Sequence, residues 1–448
     1  MICFNIPLYI VAAFLVLTLV VGLYFSRKKT TFQEYAVGNK QFATATLVAT
    51  VLATAFGGGS LVREVQATHE LGAWWITLSL LEVLGLWTIS RLALRMGPFM
   101  GHLSMAETLG SIYGKYPRII AAVVGICTSV VIITGQITVM SKAISICISL
   151  VNPFVIPTLA TLLLIFYSTF GGIRAITFTD VLQFLTFSVI IPLLAWFMFV
   201  KVGKPVAEIV PILQGHTKFQ FSNVFHFNTQ LASMILLLLS LVAFYITPLY
   251  IQRLYMASSP VQAQKVFSYA SVFQFVIISF ITLIGLFIFV DAPDLPKEAV
   301  WSYLITHIPT FFKGFVSISL LAMAMSTADS CLNSCAVMVS HDILESMQRE
   351  TKAADTHQLK IARWTTLVVG LLSMLLAFRC QDLLELMYWG LDCAVPIIVA
   401  PFILAIFGFR GTSCTALIGM ATGVFTILSW NTWIQPATEM DGSFLAAV

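Results

Sequence analysis

Charge is scarce in this chain. Asp, Glu, Lys and Arg together make up 10% of its 448 residues, against 59% hydrophobic residues. The mean hydropathy of +0.94 excludes a soluble protein with an ordinary core. Long polar stretches are missing too: no loop exceeds about 30 residues, which leaves no room for an inserted soluble domain. No basic residue precedes the first apolar run, Ile6 to Phe25, whereas Arg27, Lys28 and Lys29 follow it directly. That order argues against a cleavable signal peptide and predicts an uncleaved span with its N-terminus outside. The eight cysteines (3, 127, 147, 331, 335, 380, 393 and 414) show no Cys-x-x-Cys pairing. Cys331 and Cys335 share a helical face without His partners, so small packing residues describe them better than a metal site. No Gly-Lys-Ser/Thr follows the glycines at 57–59, which excludes a phosphate loop, and no Ser-His-Asp or zinc-type His spacing occurs. An enzyme therefore has no residue support. The seven histidines fall at expected span ends or loops, where solvation accounts for them. The net charge of +4 follows from topology and points to no nucleic acid.

What is present is a series of apolar segments of about 20 residues, each long enough to cross a bilayer as a helix. They predict an all-α polytopic membrane protein of about twelve spans: 6–25, 42–69, 73–96, 118–149, 154–170, 178–200, 231–254, 267–290, 311–341, 363–378, 383–407 and 412–433. With the N-terminus outside, sixteen of the 24 Lys and Arg fall on the cytoplasmic side, six on the outer side and two within spans. This bias predicts both termini outside, in a plasma membrane, with a bacterial inner membrane as the expected setting.

Two spans look interrupted. The second carries Phe56-Gly57-Gly58-Gly59-Ser60, and the seventh carries Tyr245-Ile246-Thr247-Pro248. Glycines weaken a helix and proline removes a donor, so both leave backbone groups free at membrane depth. Each break alone is ordinary in a membrane helix. Two breaks five spans apart point to an inverted-repeat transporter with its site at the midplane. The third feature is Ala324-Met-Ser-Thr-Ala-Asp-Ser-Cys-Leu-Asn-Ser334, which sets six polar side chains in an apolar segment. Ser326, Asp329 and Ser330 share one helical face, with Thr327 beside them. Hydroxyl and carboxyl oxygens are the ligands a small hard cation such as sodium prefers. A tight seam of small residues is the alternative for the hydroxyls, and the aspartate weighs against it.

Three stretches carry a resemblance. Tyr167-Ser-Thr-Phe-Gly171-Gly172-Ile-Arg174-Ala175-Ile-Thr-Phe-Thr179-Asp180-Val-Leu-Gln183, Met325-Ser326-Thr327-Ala328-Asp329-Ser330 and Gln252-Arg253 are similar to motifs of the sodium/solute symporters, which carry sugars, proline, pantothenate or sialic acid. The resemblance implies a LeuT-like fold: an extra N-terminal helix (6–25), inverted five-helix repeats at 42–200 and 231–407, and a last helix at 412–433. It implies sodium as the coupling ion, held by the Ser326 and Thr327 hydroxyls and by the carbonyls of Met323, Val48 and Val51. It further implies a second cation site at Asp180, Ser326, Asp329 and Ser330. Asp180 has two other readings, as the N-cap of span six or as a partner of Arg174. The implied solute pocket comprises Thr54, Ala55, Phe56, Gly57, Trp74, Trp75, Tyr245, Thr247, Tyr388, Trp389 and Asp392. Arg63 is a candidate contact for an anion, with pairing to Glu82 or another carboxylate as its alternative.

These features together predict a sodium-coupled symporter that imports a small polar or anionic solute by alternating access. Its partners are the solute and the bilayer, and its oligomeric state, monomer included, is open. A proton-coupled carrier using Asp180, Asp329 or Glu82 is the alternative within the class. A sensor or passive channel of the same fold is the alternative outside it.

Overall fold

Backbone groups inside a bilayer find no water, so a chain of this hydropathy satisfies them within helices. The computed structural model describes residues 5–26, 31–148, 151–224, 229–347, 355–379 and 394–438, and most of these are helical. In chain order the elements that build the site are α1 (Ile6–Ser26), α2 (Thr44–Ala55), α3 (Gly58–Leu71), α4 (Ala73–Leu81) and α5 (Leu84–Ala93). They continue with α6 (Met105–Tyr113), α7 (Lys115–Cys147), α8 (Val155–Val202), α9 (Thr229–Phe244) and α10 (Pro248–Tyr255). The remainder are α11 (Pro260–Asp291), α12 (Thr310–Val337), α13 (Asp355–Arg379) and α14 (Ser413–Ser429).

Among the described residues, eight helices are long and apolar enough to cross a membrane, or ten if each of two bent pairs counts as one span. The bent pairs are α2 with α3, at 62°, and α9 with α10, at 46°. They fall on the two interruptions read from the sequence. Twelve spans were expected, and the count departs at two places. The stretches 154–170 and 178–200 form one assigned helix of 48 residues, α8. A straight helix of that length would reach about 72 Å, more than twice the hydrocarbon thickness. It is instead two legs joined at Gly172, whose φ of 54° and ψ of −154° are non-helical. The stretch 383–407 lies largely outside the described residues, and its described end is the short apolar helix Val395–Ile406.

Burial sorts the spans into layers. In α12 and its continuation to Glu345, 94% of the most apolar window is buried, against 33% for α1 and 28% for α13. α12 is therefore the central helix, and the others wrap it and face lipid. On the second leg of α8, Leu185, Val189, Leu193, Trp196 and Val200 are exposed at spacings of three and four, while Phe187, Ile191, Leu194 and Met198 point inward. This is an amphipathic stripe turned toward hydrocarbon instead of water. Lys142 is exposed near the end of α7.

Candidate functional site

The site begins with the break between α2 and α3. Phe56 and Gly57 adopt extended backbone, with φ/ψ of −96°/94° and −73°/158°. The last carbonyls of α2 therefore lose their intrahelical donors. Two hydroxyls of α12 meet them. Ser326 Oγ donates to the Ala53 carbonyl at 2.7 Å, and Thr327 Oγ1 to the Thr54 carbonyl at 3.3 Å. Both hydroxyls also reach the Met323 carbonyl, at 3.0 and 3.2 Å. Met323, Ser326 and Thr327 thus come together as expected.

Val48 and Val51 do not. They lie inside α2, where α-helical geometry commits their carbonyls to donors four residues on. The carbonyls released by the break are at Ala53 and Thr54, and it is these that the Ser326 and Thr327 hydroxyls meet. Sequence alone could locate the glycines, but which carbonyls they free depends on where α2 stops.

Across the break stands a residue the sequence reading passed over. Gln136 of α7 accepts a hydrogen bond from the Gly58 backbone N–H at 2.7 Å, through its Oε1. Gly58 is the first residue of α3, so the amide side chain caps the half-helix that follows the break. The approach needs glycine: a Cβ on Gly57 would lie 2.8 Å from Gln136 Nε2. On the far side, a Cβ on Gly58 would lie 2.7 Å from Ala324 Cβ and 3.2 Å from the Leu320 carbonyl oxygen. Gly58→Ala should therefore lower stability by about 1–3 kcal/mol through overpacking of α3 on α12. Thermal unfolding of the purified variant checks this, and an unchanged midpoint would mean that α3 shifts freely there.

One turn toward the other end of α12 lies a buried cluster of charges. Arg253, near the C-terminus of α10, is 1% exposed. Its guanidinium bonds Ser330 Oγ and stands 3.4 Å from both Asp180 Oδ2 and Thr54 Oγ1. Thr50 donates to the same Asp180 oxygen. Asp329, fully buried, accepts from Tyr167 Oη at 2.7 Å and from Ser330 Oγ at 3.4 Å. The expected second cation site therefore contains a cation of its own, the Arg253 guanidinium, which lies between Asp180 and Ser330. Ser326 contributes its carbonyl to this side, accepting from Ser330 Oγ at 2.7 Å. Asp180 is interior to α8 and caps no helix, and Arg174 lies over the Phe25 ring instead of pairing with it. Gln252 and Arg253 were visible as a motif, but nothing in the sequence assigned Arg253 its partners.

The expected solute residues divide into three groups. Thr54, Ala55, Phe56 and Gly57 lie at the first break, and Tyr245 and Thr247 at the second. Trp74 and Trp75 open α4, where Trp75 Nε1 donates to Glu64 at 2.7 Å. Tyr388, Trp389 and Asp392 lie outside the described residues. Arg63 pairs with Glu64 at 3.0 Å rather than with Glu82. Glu82, between α4 and α5, accepts from Tyr245 Oη at 2.6 Å.

At the end of the bundle where α12 finishes, Arg118 Nε donates to Asp342 Oδ1 at 2.9 Å. His341 stands 3.1 Å from Glu107 of α6, which lies outside the spans. Burial pushes the Glu107 carboxyl up. Hydrogen bonds from His341 and from the Leu103 backbone, with the nearby His341 charge, outweigh burial and hold it below the ordinary range.

Paired broken helices, a hydroxyl pair against freed carbonyls and a buried Asp–Arg cluster are the geometry on which the comparisons bear. The family model for the sodium:solute symporter family matches residues 35–423. The chain belongs to that family. Among curated relatives, the sodium/sialic acid symporter NanT of Aliivibrio fischeri is 23% identical over 317 residues, covering 66% of this chain and 62% of that protein. A sodium/proline symporter of Staphylococcus aureus (strain JH9) is 27% identical over 135 residues, covering 29% of this chain and 26% of its own length. The chain thus spans less than two thirds of these curated relatives. A solved Na+-coupled sialic acid symporter, substrate-bound and outward-open, superposes with a TM-score of 0.87 at 19% identity, covering 99% of this chain and 95% of that one. A nucleobase-cation-symport-1 family transporter in a closed conformation gives 0.60 at 14% identity, with 92% of both chains covered. This member of the family therefore has the LeuT-like fold expected of it.

Proposed function

We propose that the chain is a sodium-coupled symporter that imports a small polar solute across a bacterial plasma membrane by alternating access. The observation that carries the proposal is the pairing of Ser326 and Thr327 with the carbonyls at the broken end of α2. A hydroxyl that donates to a carbonyl can turn its lone pairs to a cation, and the carbonyl then becomes a second ligand. Ala53, Thr54, Met323, Ser326 and Thr327 offer sodium five oxygens without a full charge, a set that holds the ion reversibly. Sodium there would tie α12 to the broken span. A state in which the two separate would bind it less well, and this difference in affinity is what couples ion to solute. The repeats at 42–200 and 231–407 would supply the two bodies that rock, and the solute would bind between the breaks. The family's transport by sodium in its curated relatives supports this reading, as does the fold.

The test is thermal stability of the purified protein in NaCl against KCl at equal ionic strength. A ligand that binds only the folded state stabilises it by about 2.7 kcal/mol at 100 times its dissociation constant. A saturable, sodium-specific rise in melting temperature is expected, and Ser326→Ala/Thr327→Ala should abolish it. Thr327→Ala alone should weaken sodium activation of uptake with the protein still present in the membrane. Stabilisation equal in the two salts would sink the proposal.

A further inference from the structure

The charged side chains around the two breaks do not balance, and the imbalance bears on the solute. Among the described residues four carboxylates lie there, Glu64, Glu82, Asp180 and Asp329, against two guanidiniums, Arg63 and Arg253. Arg63 ion-pairs with Glu64, and Arg253 with Asp180. Asp329 is held by Tyr167 and Ser330 within the Arg253 cluster. Glu82 stands apart. It sits in the middle of the span Ala73–Ala93, half-buried. Its one hydrogen bond among the described residues comes from Tyr245 Oη, at 2.6 Å, and no basic side chain ion-pairs with it there. Its second oxygen has no donor among the described residues.

The surroundings of Glu82 are aromatic and fixed. Gln274 donates to the Tyr245 hydroxyl at 2.6 Å, and the Tyr245 and Tyr250 rings lie 4.9 Å apart. Gly85 leaves space for the Tyr245 ring, since a Cβ there would meet it at 2.2 Å. Trp75 and Ser79 share the Glu82 face of α4, and both donate to Glu64. The Arg63 guanidinium is engaged by Glu64. Arg63 gives one guanidinium nitrogen to Glu64 while its side chain stays 53% exposed, and the first backbone N–H of α3 at the break goes to Gln136.

We propose that the solute is an organic cation, whose charge Glu82 receives beside the rings of Tyr245 and Tyr250. The proposal rests on the symporter reading above and replaces the polar or anionic solute expected from sequence. A carboxylate at membrane depth without a cationic partner is costly, and aromatic faces attract cations once water is excluded. A cationic solute answers both conditions, and it supplies the partner that no described side chain gives Glu82.

The experiment uses the full chain and isosteric probes. Choline is set against glycine betaine, 3,3-dimethylbutanol and 3,3-dimethylbutyrate, and putrescine against butanediol and succinate. Each is scored for sodium-dependent thermal stabilisation and then for uptake into proteoliposomes. One of the cations should stabilise and enter, and its neutral and anionic isosteres should not. Glu82→Gln should weaken that cation by about thirtyfold or more. Sodium stabilisation retained in Glu82→Gln shows that the variant is folded, and Glu82→Asp should recover part of the affinity. Stabilisation by an anionic or neutral probe alone, no response to either cation, or a cation response unchanged in Glu82→Gln each overturns the proposal. If wild-type protein shows no sodium stabilisation at all, the symporter reading has failed instead.

Discussion

Arg253→Met lowers the stability of the purified protein by about 3–5 kcal/mol, the cost of leaving a buried carboxylate without its cation. The side chain is fully enclosed, and Asp180, Thr54 and Ser330 all lie within bonding distance of one guanidinium nitrogen. Methionine fills similar space and removes only the charge and the donors. Asp180 then has Thr50 as its remaining donor. Arg253→Met/Asp180→Asn should recover a large part of the loss, because neither charge is then stranded. Thermal unfolding of the four proteins of the double-mutant cycle, in one sodium concentration, measures the coupling directly. Additive losses would mean that the two side chains do not sense each other. The same cycle separates this cluster from the sodium site, since a sodium-specific stabilisation should survive in the double variant.

Gly172→Ala costs about 3 kcal/mol or more, from two sources that add. The backbone at φ 54° and ψ −154° lies near a region open almost only to glycine, with a penalty of about 1–3 kcal/mol for other residues. A Cβ would also lie 2.5 Å from a ring carbon of Tyr35 and 2.9 Å from its carbonyl oxygen. The ring cannot retreat: it is fully buried and its hydroxyl is 3.0 Å from that of Thr366. Gly203→Ala is the control. Its φ is also positive, at +63°, but the nearest atoms to a Cβ there are 3.9 Å away. That change should cost about 1–2 kcal/mol, the backbone part alone. Equal losses at the two positions would show that the Tyr35 contact yields.

The breaks and the hydroxyls were legible in the sequence because each is a local feature. Gly57-Gly58-Gly59 and Pro248 interrupt helices whatever surrounds them, and Ser326 with Thr327 is polar where everything near it is apolar. Partnerships were not legible. Gln136 lies 78 residues from Gly58, and Arg253 lies 73 from Asp180, so only the packed helices reveal either contact. The joint at Gly172 was read as a loop between two spans, and it is a single residue turned out of helical geometry. The carbonyls that meet Ser326 and Thr327 are at Ala53 and Thr54, past Val48 and Val51, because sequence places the end of a helix less closely than its existence.

The enclosure of α12 has a consequence for how the protein is made. Its membrane window has a mean hydropathy of 1.5, against 2.6 for α1 and α11. Ser326, Thr327, Asp329, Ser330, Asn333 and Ser334 all lie within α12. Presented alone to lipid during synthesis, such a segment would enter poorly, since an aspartate near mid-helix alone costs about 2.5–3.5 kcal/mol on insertion. Its neighbours remove that cost by shielding it: α1, α2, α7 and α8 all precede it in the chain and all pack against it. The order of helices along the chain therefore places the insulation in the membrane before the conductor arrives.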